Sequence, residues 1–78
     1  MKQLRLRRNI GSYLKLIREK KEMPQDVVIE FLRDFKVKCS KANLSKLERD
    51  LISCRADILG ALSLIYEIDP KEVLFKKV

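Results

Sequence analysis

Histidine is absent from this 78-residue chain, and glycine, proline and cysteine occur only twice each. Without imidazole there is no ordinary general base for neutral pH. Cys39 and Cys54 lack CxxC spacing, so a structural zinc site would have to recruit carboxylates, and no metal or cofactor is expected. Both cysteines read as reduced thiols of a cytoplasmic protein. So few Gly and Pro argue against low complexity and against an architecture of many tight β-turns. No Gly-rich, phosphate-cradling loop is present, Asp57, Glu67 and the other carboxylates are scattered among helix faces, and the serines fit caps and helix surfaces. An enzyme is therefore the weakest reading. No small-molecule site is evident and no secretory signal is expected. The longest apolar stretch, residues 58–66, is far too short to cross a bilayer.

What the chain does have is positive charge. Eighteen Lys and Arg stand against eleven Asp and Glu, a net charge of +7. A basic balance in one small domain favours an anionic partner: nucleic acid, a membrane surface or an acidic protein. An apolar fraction of 46% is ordinary for a globular chain, enough for a thin core among four or five short helices.

The pattern along the chain is helical. Residues 1–8 form a basic arm in which Lys2, Arg5, Arg7 and Arg8 alternate with Leu4 and Leu6. Periodicity leaves it open as a frayed end, a short extended segment or a first helical turn. From residue 9 onward one domain follows. Asn9 is a plausible N-cap for a helix carrying Ile10, Tyr13, Leu14 and Ile17 on one face. Met23-Pro24 ends it, and Pro24 suits the first turn of a second helix with stripe Val28, Phe31, Leu32 and Phe35. Residues 36–39 break the pattern. Ser40 is a good N-cap for a third helix over 41–49, with Leu44 and Leu47 inward, joined by Leu51 just beyond. A fourth helix spans roughly residues 55–66 and carries Ile58, Leu59, Leu62, Ile65 and Tyr66. A short last helix starts at Asp69-Pro70 and carries Val73, Leu74 and Phe75. No strand is expected.

The ordered set of pieces resembles the lambda-repressor-like helix-turn-helix family over residues 10–74. Ile10-Gly11-Ser12-Tyr13-Leu14-Lys15-Leu16-Ile17-Arg18-Glu19-Lys20-Lys21 resembles the family's first helix, and Gln25 the Gln that opens its second. Ser40-Lys41-Ala42-Asn43-Leu44-Ser45-Lys46-Leu47-Glu48-Arg49 resembles its recognition helix, and Ile68-Asp69-Pro70-Lys71-Glu72-Val73-Leu74 its closing helix. Four features depart from the pattern. The connection between second and third helices is several residues longer. Ile29 replaces a small Ala, and Asp50 and Glu67 replace helix-ending Gly. Asp tolerates a left-handed cap better than Glu does.

The resemblance implies an all-α bundle that docks its third helix in the major groove of double-stranded DNA, as a transcriptional regulator and most simply a repressor. Base contacts would fall to Lys41, Ala42, Asn43 and Lys46, with Asn43 matching the adenine edge. Phosphate contacts would fall to Gln25, Ser40, Ser45, Lys38 and the arm residues Arg5, Arg7 and Arg8. Arg18 and Glu48 would pair structurally between first and third helices. Leu14, Ile17, Val28, Leu32, Leu44, Leu47, Leu59 and Leu62 are core candidates. Val73, Leu74, Phe75 and Val78 are a candidate dimer patch, because two-fold operators need two copies. The alternative is a protein-interaction module on the same fold, such as an antitoxin that binds a toxin as well as its own operator. A basic N-terminal helix lying on a membrane is disfavoured, since its apolar face is needed by the core.

Overall fold

The computed structural model describes residues 4–77. Five helices, α1 (Ile10–Lys20), α2 (Gln25–Asp34), α3 (Lys41–Glu48), α4 (Ala56–Ile65) and α5 (Pro70–Leu74), pack around one core. That core is built from Leu14, Val28, Leu32, Leu44, Leu47, Ile58, Ala61, Leu62, Tyr66 and Val73. Ile17 and Leu59 flank it half-buried. Each helix thus turns apolar residues of its stripe to the core, as amphipathic periodicity requires. No helix among the described residues is long and apolar enough to cross a membrane.

A two-stranded antiparallel ribbon was not expected from the sequence. β1 (Leu4–Leu6) pairs with β2 (Phe75–Lys77), in the register Leu4 to Lys77, Arg5 to Lys76 and Leu6 to Phe75. The partners lie at opposite ends of the chain, so no local pattern announces the pairing. Arg7 extends the join: its backbone N–H donates to Leu74 O at 2.6 Å. Its guanidinium donates to Val73 O and Glu72 O, each at 3.0 Å, and lies 3.6 Å over the Tyr13 ring. Arg7 therefore serves the carbonyls at the end of α5, a helix terminus that leaves such groups unpaired.

Helix starts follow the sequence with two instructive exceptions. Ser40 Oγ accepts from Asn43 N at 3.1 Å and Asp69 accepts from Lys71 N at 2.9 Å, both as side-chain caps. Pro24 sits at the N-cap of α2, one position before its first turn, and its carbonyl accepts from Val27 N and Val28 N. Asn9 occupies the N-cap of α1, but its side chain makes no cap bond. The Asp50 carboxylate supplies the acceptor instead, taking the Gly11 N–H at 2.9 Å and the Ser12 hydroxyl.

The first four helices all end in the same way. Glu22, Lys36, Asp50 and Glu67 have φ of 54°, 59°, 58° and 56°. Each is followed by an apolar residue whose N–H reaches five residues back: Met23 to Arg18, Val37 to Leu32, Leu51 to Lys46 and Ile68 to Ser63. This double-bonded ending normally carries glycine at the left-handed position. Here L-residues hold it, at a cost of about 1 kcal/mol each.

Four apolar positions differ from the sequence expectation, Phe75 among them because it lies in β2 beyond the end of α5. Phe31 and Phe35 are 43% and 47% exposed, because α3 and α4 pack on the flank of α2 that carries Val28 and Leu32. Leu51 is 63% exposed. The left-handed turn at Asp50 redirects the chain, so Leu51 no longer continues the inner face of α3.

Candidate nucleic-acid interface

The C-terminal half of α3 is locked in place. Leu44 and Leu47 are fully buried, and Glu48 is 3% exposed. Arg18 reaches Glu48 with two bonds, Nε to Oε2 at 2.6 Å and Nη2 to Oε1 at 3.1 Å, and gives a third to Met23 O at 2.8 Å. Gln25 Nε2 donates to Glu48 Oε1 at 2.9 Å. The carboxylate raises the Arg18 pKa through that hydrogen bond, against the opposing effect of burial. One acid thus ties α1, α2 and α3 together. Tyr66, whose buried hydroxyl has no hydrogen-bond partner among the described residues, feels the same Arg18–Glu48 pair, and burial raises its pKa strongly.

Gly11 adds a steric lock. A Cβ there would stand 1.7 Å from Leu47 O, so α1 and α3 meet backbone to backbone. With the Asp50 bonds to Gly11 and Ser12, the first turn of α1 clasps the last turn of α3. The ion pair was expected from the sequence. The Gly11 contact, the Asp50 clasp and the Gln25 bond to Glu48 were not, because each joins residues far apart in the chain.

The N-terminal half of α3 is open. Lys41, Ala42 and Asn43 of its first turn are all exposed, as is Lys46 one turn on, away from the buried Leu44 and Leu47. A helix of this shape offers a cationic and amide-bearing face with an apolar back. Lys41 Nζ is 3.1 Å from Asp26 Oδ1, an exposed pair worth at most about 1 kcal/mol and readily exchanged for another anion. Ser45 is half-buried, and its carbonyl accepts from Arg49 N and Nε. Exposed Lys38 lies just ahead of the helix, and the Ser40 and Gln25 side chains are engaged within the fold.

The sequence-derived phosphate residues fall into two groups. Gln25, Lys38, Ser40 and Ser45 belong to α3 and its approaches. Arg5, Arg7 and Arg8 gather instead at the ribbon, where with Leu6, Asn9 and Lys76 they line an open concavity of about 940 Å³. Arg5 and Lys76 are directly paired like charges, an arrangement that costs energy until an anion sits nearby. Arg7 is the most constrained of the three, because its Nε and Nη2 donate to the α5 carbonyls and its guanidinium lies over the Tyr13 ring.

The candidate dimer patch also changes. Val73 is fully buried in the core and contributes no surface, because the ribbon and α1 close over α5. Leu74 is half-buried, Phe75 is 38% exposed, and Val78 lies outside the described residues. Cys39 and Cys54 are half-buried thiols, free in this structure, and burial raises both pKa values, that of Cys54 to about 11. Asp57, beside α4's start, is bidentate with Arg55, which holds its carboxyl below the usual range. Among the described residues no group of three or more His, Cys, Asp or Glu could hold a metal ion. Compared with protein-family models, with curated proteins and with solved structures, the chain matches none.

Proposed function

We propose that this chain is a cytoplasmic, non-enzymatic transcriptional regulator, a repressor in the simplest reading, that binds double-stranded DNA sequence-specifically through α3. The observation that carries the reading is the sidedness of α3. Its back is fixed by Leu44, Leu47 and the Arg18–Glu48–Gln25 cluster, while Lys41, Ala42, Asn43 and Lys46 stand exposed on the other side. A rigid backing matters because base edges reward placement within fractions of an ångström. Asn43 suits adenine, the two lysines suit guanine or phosphate, and Ala42 permits close approach or meets a thymine methyl. The resemblance of residues 40–49 to a recognition helix points the same way. The net charge of +7 and the cationic ribbon supply the sequence-independent attraction.

Binding as a homodimer belongs to this proposal, since one domain of this size reads only a few base pairs. Leu74 and Phe75 are the remaining described surface for it. A sedimentation profile that stays monomeric at high concentration, with and without DNA, removes the dimer.

The deciding experiment is selection from a random duplex library followed by salt titration of wild type, Asn43→Ala and Lys46→Ala. The expected result is an enriched motif, a steep salt slope, and relaxed selectivity in Asn43→Ala. Binding indifferent to both substitutions, or the absence of any motif, overturns the role of α3.

A further inference from the structure

We propose that the groove between α2 and the connection at residues 35–40 is a second binding site, which takes an acidic peptide segment of a protein partner anchored by one apolar side chain. The groove is a product of the long connection and encloses about 450 Å³ of open space. Half-buried Ile29, Val37 and Cys39 provide its apolar lining, and exposed Arg33, Lys36 and Lys38 its charge. No carboxylate lines it. Glu30 and Asp34 lie on α2 outside the lining, and Asp57, whose field reaches Cys39, is paired with Arg55.

Cations at the end of α2 complement its dipole, which accounts for Arg33 and Lys36 as surface residues. It does not account for Lys38, and Ile29, Val37 and Cys39, packed on the core by one side, leave their outer sides half-exposed beneath the three cations. Three cations with no carboxylate in the lining favour an anionic occupant. A phosphate backbone would use the cations and leave Ile29 and Val37 idle. A peptide with Asp or Glu on either side of a Leu, Ile or Phe uses both, burying the apolar side chain while the carboxylates meet the rim. Lys38 and Ser40 also belong to the approaches of α3, so Arg33 and Lys36 are the cations that separate this site from the DNA-binding reading.

The test is selection of a phage-displayed random-peptide library on the full chain, repeated on Arg33→Gln/Lys36→Gln and separately on Lys38→Gln. These positions are exposed, so thermal unfolding should be unchanged in both variants. The expected outcome is enrichment of sequences with acidic residues flanking an apolar one. Such a peptide, titrated in NMR, should shift Ile29, Arg33 and Val37, weaken with salt, and bind roughly tenfold less tightly to the double variant. Enrichment without acidic character, shifts elsewhere, no enrichment, or equal binding to the double variant each overturns the proposal. So does a duplex DNA that shifts the same groove residues and loses about tenfold in affinity with the double variant, since the cations then belong to a DNA backbone track.

Discussion

The two ends of α3 are built on opposite principles. At its C-terminal end the acid and the last carbonyl are bound within the fold: Glu48 by Arg18 and Gln25, Leu47 O by the Asp50 N–H, and the Asp50 carboxylate by the Gly11 N–H, with the bare backbone of Gly11 packed against Leu47 O. At its N-terminal end a single cap, Ser40 to Asn43 N, holds the first turn, and the side chains of Lys41, Ala42 and Asn43 face solvent. The contrast shows how a small domain with a thin core can present a firm helix. It concentrates the constraints where no ligand is needed and leaves the other end free for one.

Substitutions at the two ends should therefore differ in kind. The largest effect is expected for Arg18→Met, which leaves Glu48 buried without its partner and should cost about 3–5 kcal/mol in urea unfolding. The double variant Arg18→Met/Glu48→Leu should recover most of that loss. A double variant as unstable as the single one would mean that the geometry, rather than the stranded charge, is essential. Gly11→Ala should come next, at about 3 kcal/mol, because the added Cβ meets a backbone oxygen that cannot swing away. A melting curve close to wild type would show that α1 and α3 can separate and that the clasp is loose.

At the open end, Ser40→Ala should cost about 1 kcal/mol, the usual worth of a side-chain N-cap. Asn43→Ala should leave stability within about 0.5 kcal/mol, while under the proposed function the same substitution should relax DNA selectivity. The helix endings sharpen the comparison further. Glu67→Gly should stabilise by about 0.5–1 kcal/mol by relieving a left-handed L-residue. Asp50→Gly should destabilise despite the same backbone relief, because it removes the acceptor for Gly11 and Ser12. Equal signs for the two would deny Asp50 its special part.

The smallest effect is one of pH. Burial raises Cys54 from 9.0 to about 11 and raises Tyr66 well above the ordinary tyrosine range. The unfolded chain then releases these protons before the folded one does, so it is favoured as pH rises. Stability should be level below pH 9 as far as these groups act, and should fall between pH 9 and 11 as Cys54 resists ionisation. Tyr66 should prolong the fall above pH 10. Cys54→Ser should remove the first part and Tyr66→Phe the second, read as unfolding midpoints across alkaline buffers. A midpoint insensitive to both substitutions would mean these groups ionise freely in the folded state.

The sequence by itself determined the five helices, because apolar spacing and the residues Ser40, Asp69 and Pro70 act within one turn of where they sit. Through the family resemblance it also marked Asp50 and Glu67 as standing at helix-ending glycine positions, whereas Glu22 and Lys36, which adopt the same conformation, carried no such mark. It made Arg18 and Glu48 legible as a pair through the family resemblance alone. Tertiary structure decided the rest. Only packing places Gly11 against Leu47 O, turns Asp50 into the cap that Asn9 fails to provide, pairs β1 with β2 across the whole chain, and diverts Arg7 to the end of α5. Packing also settles which apolar residues stay outside. Phe31, Phe35 and Leu51 have core-like chemistry, but among the described residues no element packs over them. Local periodicity states which face a helix would bury. Whether that whole face is buried depends on the number and direction of its neighbours, and those are set by contacts between residues distant in the sequence.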